Sequence, residues 1–257
     1  MGHRANSGRR VTTVSTRLVL VHGSGHTART WDAVVAKLRH PVVAVDLPGR
    51  RYNPADLTQG TLERSAQSAA ADVEAAGPGP VVLVGHSSGG LILPALTGLL
   101  GERVRQLVFV AGLIAPEGGQ VATAIVDGDG DGLLEQRRDL LVLHAGSTYG
   151  GFLAGEEPAP STFTRLDDER TVGSIESLNL MYQTVRWNGV NPALPRTFVR
   201  CLRDPIQSRS LQAQLIDASG ATEVIDLDCG HTPALSAPDE LAGWLDAIAD
   251  RHDQTET

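Results

Sequence analysis

Residues 81–90 read V-V-L-V-G-H-S-S-G-G, and the fold follows from how this stretch is punctuated. Val81 to Val84 are apolar and mostly β-branched, the composition of a strand buried on both faces of a parallel sheet. Gly85-His86-Ser87-Ser88-Gly89 then fits G-x-S-x-G, and an apolar helix-like run starts at Leu91. A strand that turns sharply into a helix holds Ser87 on a strained turn, its hydroxyl exposed at the sheet edge. Gly85 and Gly89 leave room for strand and helix to approach. The same residues also suit a glycine-rich β–α turn with a capping serine, a part that Ser88 can play.

Outward from this stretch, strand and helix signals alternate. Strands are predicted at Arg17–Val21, Pro41–Asp46, Gln106–Val110, Thr197–Leu202 and Glu223–Leu227. Helices are predicted at Thr30–Arg39, at Thr61–Ala76 with Thr61 as cap, along Leu91–Leu100, near Ser208–Ala218 and at Pro238–Asp250. Alternating β and α elements imply an α/β fold, a mainly parallel sheet covered by helices on both faces. From Leu113 to about Pro195 the rhythm breaks into a Gly-, Pro- and acid-rich stretch too long for a loop in a compact domain. The expected organisation is a core of residues 16–112 and 196–252, a lid inserted at 113–195, and tails at 1–15 and 253–257.

Five of the ten aromatic residues fall in the insertion: Tyr149, Phe152, Phe163, Tyr182 and Trp187, with Met181 among them. They could line an apolar pocket over Ser87, with Leu113 at its start, or form the core that the lid itself needs. Asp127 to Gly132 resembles the start of a calcium loop. The twelfth position, where such a loop needs a glutamate, is Arg138, so an acidic surface loop is expected and no metal.

The composition is that of an ordinary soluble domain: 257 residues, 41% apolar and 20% charged. A net charge of −8 and a pI near 5.4 argue against nucleic acid or an anionic membrane as partner. Lys37 is the sole lysine among 22 basic residues, which reads as codon bias, not as a phosphate-binding device. The basic N-terminus has no apolar stretch behind it and no run reaches membrane-spanning length, so a cytoplasmic protein is expected. Cys201 and Cys229 sit in apolar strand-like runs and read as buried thiols; a disulfide requires those strands to be neighbours.

A serine hydroxyl becomes nucleophilic only when a base takes its proton, and the base must be held in one tautomer. Asp228-Cys229-Gly230-His231-Thr232-Pro233 offers His231 at the end of the last strand. Asp204, in Cys201-Leu202-Arg203-Asp204-Pro205, follows the preceding strand. The 27 residues from 204 to 231 allow one helix and one strand between them, which brings both strand ends to the same sheet edge. Asp204 could instead cap a helix whose first residue is Pro205. Glu117 is the reserve acid, with Asp226 and Asp228 weaker candidates. The oxyanion hole needs two backbone N–H groups. Ser88, after the nucleophile, is the candidate for one. Ser24, in the loop His22-Gly23-Ser24-Gly25-His26, is the candidate for the other, with Gly23 and Gly25 allowing close approach.

Four segments resemble the α/β-hydrolase superfamily, and within it the plant methylesterase and hydroxynitrile lyase group with its bacterial relatives. They are V-H-G-S-G-H-T-A-R-T-W (Val21–Trp31), V-G-H-S-S-G-G, F-V-R-C-L-R-D-P-I (Phe198–Ile206) and C-G-H-T-P-A-L. The match covers both ends of the chain and only loosely the insertion. The family order of serine, acid, histidine sets aside His22, His26 and His86 as base. The resemblance implies Ser87, Asp204 and His231 as triad, the Ser24 and Ser88 amides as oxyanion hole, and substrate near His26 and the lid. Hydroxynitrile lyases of this group carry threonine where this chain has Gly23 and lysine where it has Thr232, so both departures favour ester hydrolysis.

The leading expectation is therefore a serine esterase acting on a small, partly apolar ester, with no cofactor and a homodimer as a possible assembly. The alternatives are non-hydrolytic use of the same site, as in a cyclase, a thioesterase-like release enzyme or a lyase, and a small-molecule receptor.

Overall fold

The structure is a computed structural model that describes residues 14–50, 53–55, 60–120 and 183–253. The polar N-terminal tail and most of the predicted insertion, including the acidic run 127–132, lie outside the described residues. Six strands form one sheet: β1 (Arg17–Val21), β2 (Val42–Val45), β3 (Val81–His86), β4 (Val104–Val110), β5 (Arg196–Cys201) and β6 (Glu223–Leu227). The spatial order is β2-β1-β3-β4-β5-β6, and every pairing is parallel. Each predicted strand is present, within two residues at either end.

Every residue of β3 is buried, as a strand in mid-sheet with helices on both faces must be. Successive residues feed opposite sides. Val19, Val21, Leu83, Phe109 and Phe198 pack under α2 (Leu62–Ala75), α3 (Leu93–Leu100) and α4 (Arg209–Ser219). Leu18, Leu20, Val82, Val84, Val108 and Val199 meet α1 (Asp32–Val35) and α6 (Pro238–Asp253) on the other face. A short α5 (Pro233–Ser236) precedes α6.

The helix ends follow local chemistry. Thr61 accepts from the Arg64 N–H at 3.0 Å, and Ser208 accepts from Leu211 N–H at 3.1 Å; both satisfy otherwise unpaired first-turn donors. Gly220 ends α4 at φ +63°, the left-handed cap that glycine adopts freely. In α6, Asp239 and Glu240 open the helix and Arg251 and His252 close it, each complementing the helix dipole.

Two predicted helices are shorter than expected. The Thr30–Arg39 helix becomes a 3-10 turn over Ala28–Trp31 followed by the four residues of α1. Its continuation is diverted because Asp246 of α6, nearly buried, takes the Arg39 N–H at 3.1 Å and the His40 N–H at 3.4 Å. The Leu91–Leu100 helix begins only at Leu93, after a 3-10 turn over Ser87–Ile92. Pro94, which lacks an N–H, fits only the first turn of an α-helix.

Cys201 and Cys229 are free and buried at the ends of the neighbouring strands β5 and β6. A shared hydrogen bond pushes the Cys201 thiol up and the Cys229 thiol down. No described helix is long and apolar enough to cross a membrane.

The strand-to-helix turn is a tight fit. A Cβ on Gly89 would lie 2.7 Å from the carbonyl oxygens of both His22 and Val21. Both are backbone atoms of the β1 end and cannot move aside. Gly89→Ala is expected to lower the unfolding free energy by about 3 kcal/mol, the upper end for overpacking, as read by urea denaturation. Gly101→Ala, where a Cβ meets nothing within 4 Å, is the comparison: its cost comes only from φ +58°.

Candidate active site

Parallel strands place their C-terminal ends on one edge, and the loops leaving β1, β3, β5 and β6 gather there. Ser87 directly follows β3 with φ +49°, a left-handed conformation that costs a residue with a Cβ. The turn is held by close packing on both sides. Cβ atoms on Gly85 or Gly90 would lie 2.8 Å from Gly90 N and 2.6 Å from Leu113 O respectively. Leu113 N–H donates to the Ser87 carbonyl at 2.8 Å, so the backbone of Leu113 lies against the Ser87 turn.

His231 donates its Nδ1–H to Asp204 Oδ2 at 2.6 Å, and both side chains are essentially buried. The other oxygen, Oδ1, accepts from the backbone N–H groups of Ile206 at 2.8 Å and Gln207 at 2.9 Å. Asp204 thus holds His231 through one oxygen and caps a local turn through the other, and the helix expected to start at Pro205 does not form. α4 begins five residues later, so the turn is not a helix cap. In the tautomer with the proton on Nδ1, Nε2 is left with a lone pair. Glu117 is engaged elsewhere: it accepts from Trp187 N–H at 2.5 Å and pairs with Arg186, which holds its carboxyl below the usual range.

The two candidate oxyanion loops lie side by side. Ser24 Oγ donates to Ser88 Oγ at 2.8 Å. A Cβ on Gly23 would stand 3.0 Å from both Ser87 Cβ and His86 Nδ1, so the missing side chain leaves space beside Ser87. His22 sits beneath as a neutral ring. Its Nδ1–H donates to Gly23 O at 2.9 Å, and its Nε2 accepts from Leu47 N–H at 3.2 Å. Asp46 Oδ1 lies 3.7 Å from that nitrogen. The nitrogen is already accepting a hydrogen bond and burial opposes charge, so the contact is not an ion pair.

Three histidine rings pack in a row, His26 to His86 at 5.5 Å and His86 to His231 at 5.1 Å between centroids. His86 Nε2–H donates to the His231 carbonyl at 2.8 Å. Burial, reinforced by repulsion from His231, lowers the His86 pKa to about 3. Burial also holds His26 well below its ordinary value, and neither of its ring nitrogens has a partner. His86 as a brace for the His231 loop was missed in the sequence. The available signal was its place at the inner x of G-x-S-x-G, facing the last strand's loop.

The remaining predicted pocket residues divide. Thr232 is fully buried beside His231, its carbonyl accepting from Leu235 and Ser236 N–H. Trp187 packs on Phe109, donates Nε1–H to Ala115 O at 2.9 Å and lies under the Arg196 guanidinium at 4.7 Å. Its described contacts are with the core beneath the sheet edge. They arise because residues 118–120 and 184–185 pair, through Gln120 and Thr184 and through Gly118 and Val185. Tyr149, Phe152, Met181 and Tyr182 lie outside the described residues. Among the described residues no cluster of metal-ligating side chains is found.

The sequence pattern of the Alpha/beta hydrolase family matches residues 18–244. The chain belongs to this family. It is similar to the probable esterase PIR7A of Oryza sativa subsp. indica, 27% identical over 255 residues, covering 91% of this chain and 97% of that one. It is also similar to a pyrethroid hydrolase of Sphingobium wenxiniae, 25% identical over 249 residues and covering 91% and 87%. Among solved structures it resembles an extracellular alpha/beta-hydrolase from a Paenibacillus species, described as sharing homology with Tobacco Salicylic Acid Binding Protein 2. There the TM-score is 0.74 at 17% identity, over 90% of this chain and 97% of the other. The resemblance drawn from the four motifs, to a hydrolase group that includes plant methylesterases, holds. This α/β-hydrolase is an enzyme with esterase relatives.

Proposed function

We propose that this α/β-hydrolase is a serine esterase using Ser87, His231 and Asp204. The observation that carries the reading is the 2.6 Å bond between His231 and Asp204, set at the sheet edge that also holds Ser87 at φ +49°. His231 Nε2 takes the Ser87 proton as Oγ attacks the ester carbonyl. Asp204 stabilises the imidazolium that forms and keeps the tautomer. The Ser24 and Ser88 amides receive the oxyanion. The imidazolium then protonates the departing alcohol, and water activated by His231 frees the acyl group.

The substrate side supports a small ester. Gly23 leaves a small space beside Ser87, bounded by the Leu113 backbone and by His26 packed on His86, and the insertion, with Tyr149, Phe152, Met181 and Tyr182, supplies the apolar cover in this proposal. Hydrolysis is favoured over lyase chemistry because Gly23 and the buried Thr232 bring neither a hydroxyl over Ser87 nor a cation beside His231.

The test is steady-state turnover of p-nitrophenyl esters of increasing acyl length, with Asp204→Asn beside wild type. Wild type is expected to show saturable multiple turnover with short acyl chains. Asp204→Asn is expected to lower kcat by about 10⁴ through loss of the correct tautomer. Stoichiometric binding without turnover would overturn the reading in favour of a receptor.

A further inference from the structure

Asp204 stands on a loop, and two buried glutamines fasten that loop. Gln212 on α4 accepts from the Cys201 N–H at 2.9 Å through Oε1. Its Nε2 donates to the carbonyls of Cys201 at 2.9 Å and Gln207 at 3.2 Å. Gln207 gives its backbone N–H to Asp204 Oδ1, and its side-chain Nε2 donates to the Ala111 carbonyl at 2.8 Å. Ala111 follows β4 at φ +43° and is anchored through its N–H to Val199 O at 2.9 Å. Two residues later, Leu113 N–H holds the Ser87 carbonyl at 2.8 Å. A continuous buried path therefore runs from the acid to the nucleophile, and Gln207 is its middle link.

We propose that Gln207 is a positioning residue: its side-chain amide ties the Asp204 loop to the end of β4 and keeps the carboxylate in register with His231 and Ser87. This rests on the reading of those three residues as a catalytic triad. One feature sets Gln207 apart from a packing residue. It is 2% exposed, and its Oε1 is buried with no partner. An unpaired buried acceptor is costly, and an apolar side chain of the same length would avoid it. What the glutamine adds is the Nε2–H aimed at Ala111 O. That carbonyl belongs to a backbone conformation costly for any residue with a Cβ, so a donor fixing it also fixes the turn leading to Leu113 and Ser87.

The test is Gln207→Met, which conserves length and removes the donor. The expected result is kcat lower by about 10- to 100-fold, the scale of small misplacements of catalytic groups. KM and Tm stay near wild type, and the downfield proton resonance of the His231 Nδ1–H bond to Asp204 moves or broadens. A kcat within twofold of wild type with an unmoved resonance overturns the proposal. So does a fall in kcat with the resonance and the pH profile unchanged, because the effect then does not pass through the acid. If Gln207→Met fails to fold, Gln207→Glu decides. A protonated carboxyl can still donate to Ala111 O and a carboxylate cannot. Activity relative to wild type therefore falls as pH rises, and a flat ratio overturns the proposal. If wild type hydrolyses no ester, the functional reading fails by itself, and the resonance still reports on whether Gln207 positions Asp204.

Discussion

Ser87→Ala lowers kcat for a short p-nitrophenyl ester by about 10⁴–10⁶, the cost of removing the nucleophile from a working triad. Its stability stays within about 1 kcal/mol of wild type, because the strained φ of +49° is imposed by the packed turn and alanine meets the same steric cost as serine. The contrast between a very large kinetic effect and a small thermodynamic one is the signature of a residue kept for chemistry. Residual activity over water remains, supplied by the oxyanion amides and substrate binding. Steady-state kinetics and urea unfolding of the same preparation check both halves. A variant that retains a tenth of the activity would assign the chemistry to another group.

Acid destabilises this protein well above the range in which carboxylates titrate. His22, His26 and His86 are fully buried, and each has its pKa lowered, first by desolvation. His86 falls to about 3, against 6.5 for an unfolded histidine. Between those values the unfolded chain holds protons that the folded chain refuses. Stability is therefore complete above about pH 6.5 and falls as pH drops through that value. These three sites take up about three protons on unfolding, a slope of about 4 kcal/mol per pH unit, and the half-buried His252, lowered chiefly by burial, adds to it in the same direction. The lowered carboxyls of Glu223, Asp226 and Asp250 act in a separate window. Their stabilisation is present above the ordinary carboxylate range near pH 4 and is lost below it. Urea unfolding at steps between pH 7.5 and 5 measures the slope. His26→Leu, which removes a ring with two unpartnered nitrogens, is expected to reduce it by about 1.4 kcal/mol per pH unit. A stability flat from pH 7 to 5 would mean that these rings are not held neutral.

The parts legible in the sequence are those encoded locally. A run such as Val81–Val84 can only be a central strand, and Thr61 and Ser208 mark helix starts because the cap bond spans three residues. The elbow was legible for the same reason: strand, glycine, serine and helix are contiguous. What was not legible depends on partners far apart in the chain. Asp246 captures the Arg39 and His40 amides from 207 and 206 residues away, so no periodicity near Arg39 reports the early end of α1. Trp187 reads equally as pocket or core until residues 118–120 and 184–185 pair and fold it against Phe109. Gln207 looks like a surface residue by type, and only the topology that brings β4 beside β5 gives it the Ala111 carbonyl to bind; Gln212 likewise needs α4 folded back onto the end of β5 to reach Cys201. Asp204 was ambiguous between a helix cap and a histidine partner because either use is local to one carboxylate; no helix starts at Pro205, and its oxygens serve a turn and His231.

In the proposed mechanism the His231–Asp204 pair makes Ser87 nucleophilic. The most direct measurement is reaction with a fluorophosphonate, followed by mass spectrometry of the intact chain and its peptides. One adduct per chain is expected, on the peptide holding Ser87, absent in Ser87→Ala and formed far more slowly in His231→Ala. An adduct on another residue, or labelling of Ser87 at an undiminished rate without His231, would contradict it.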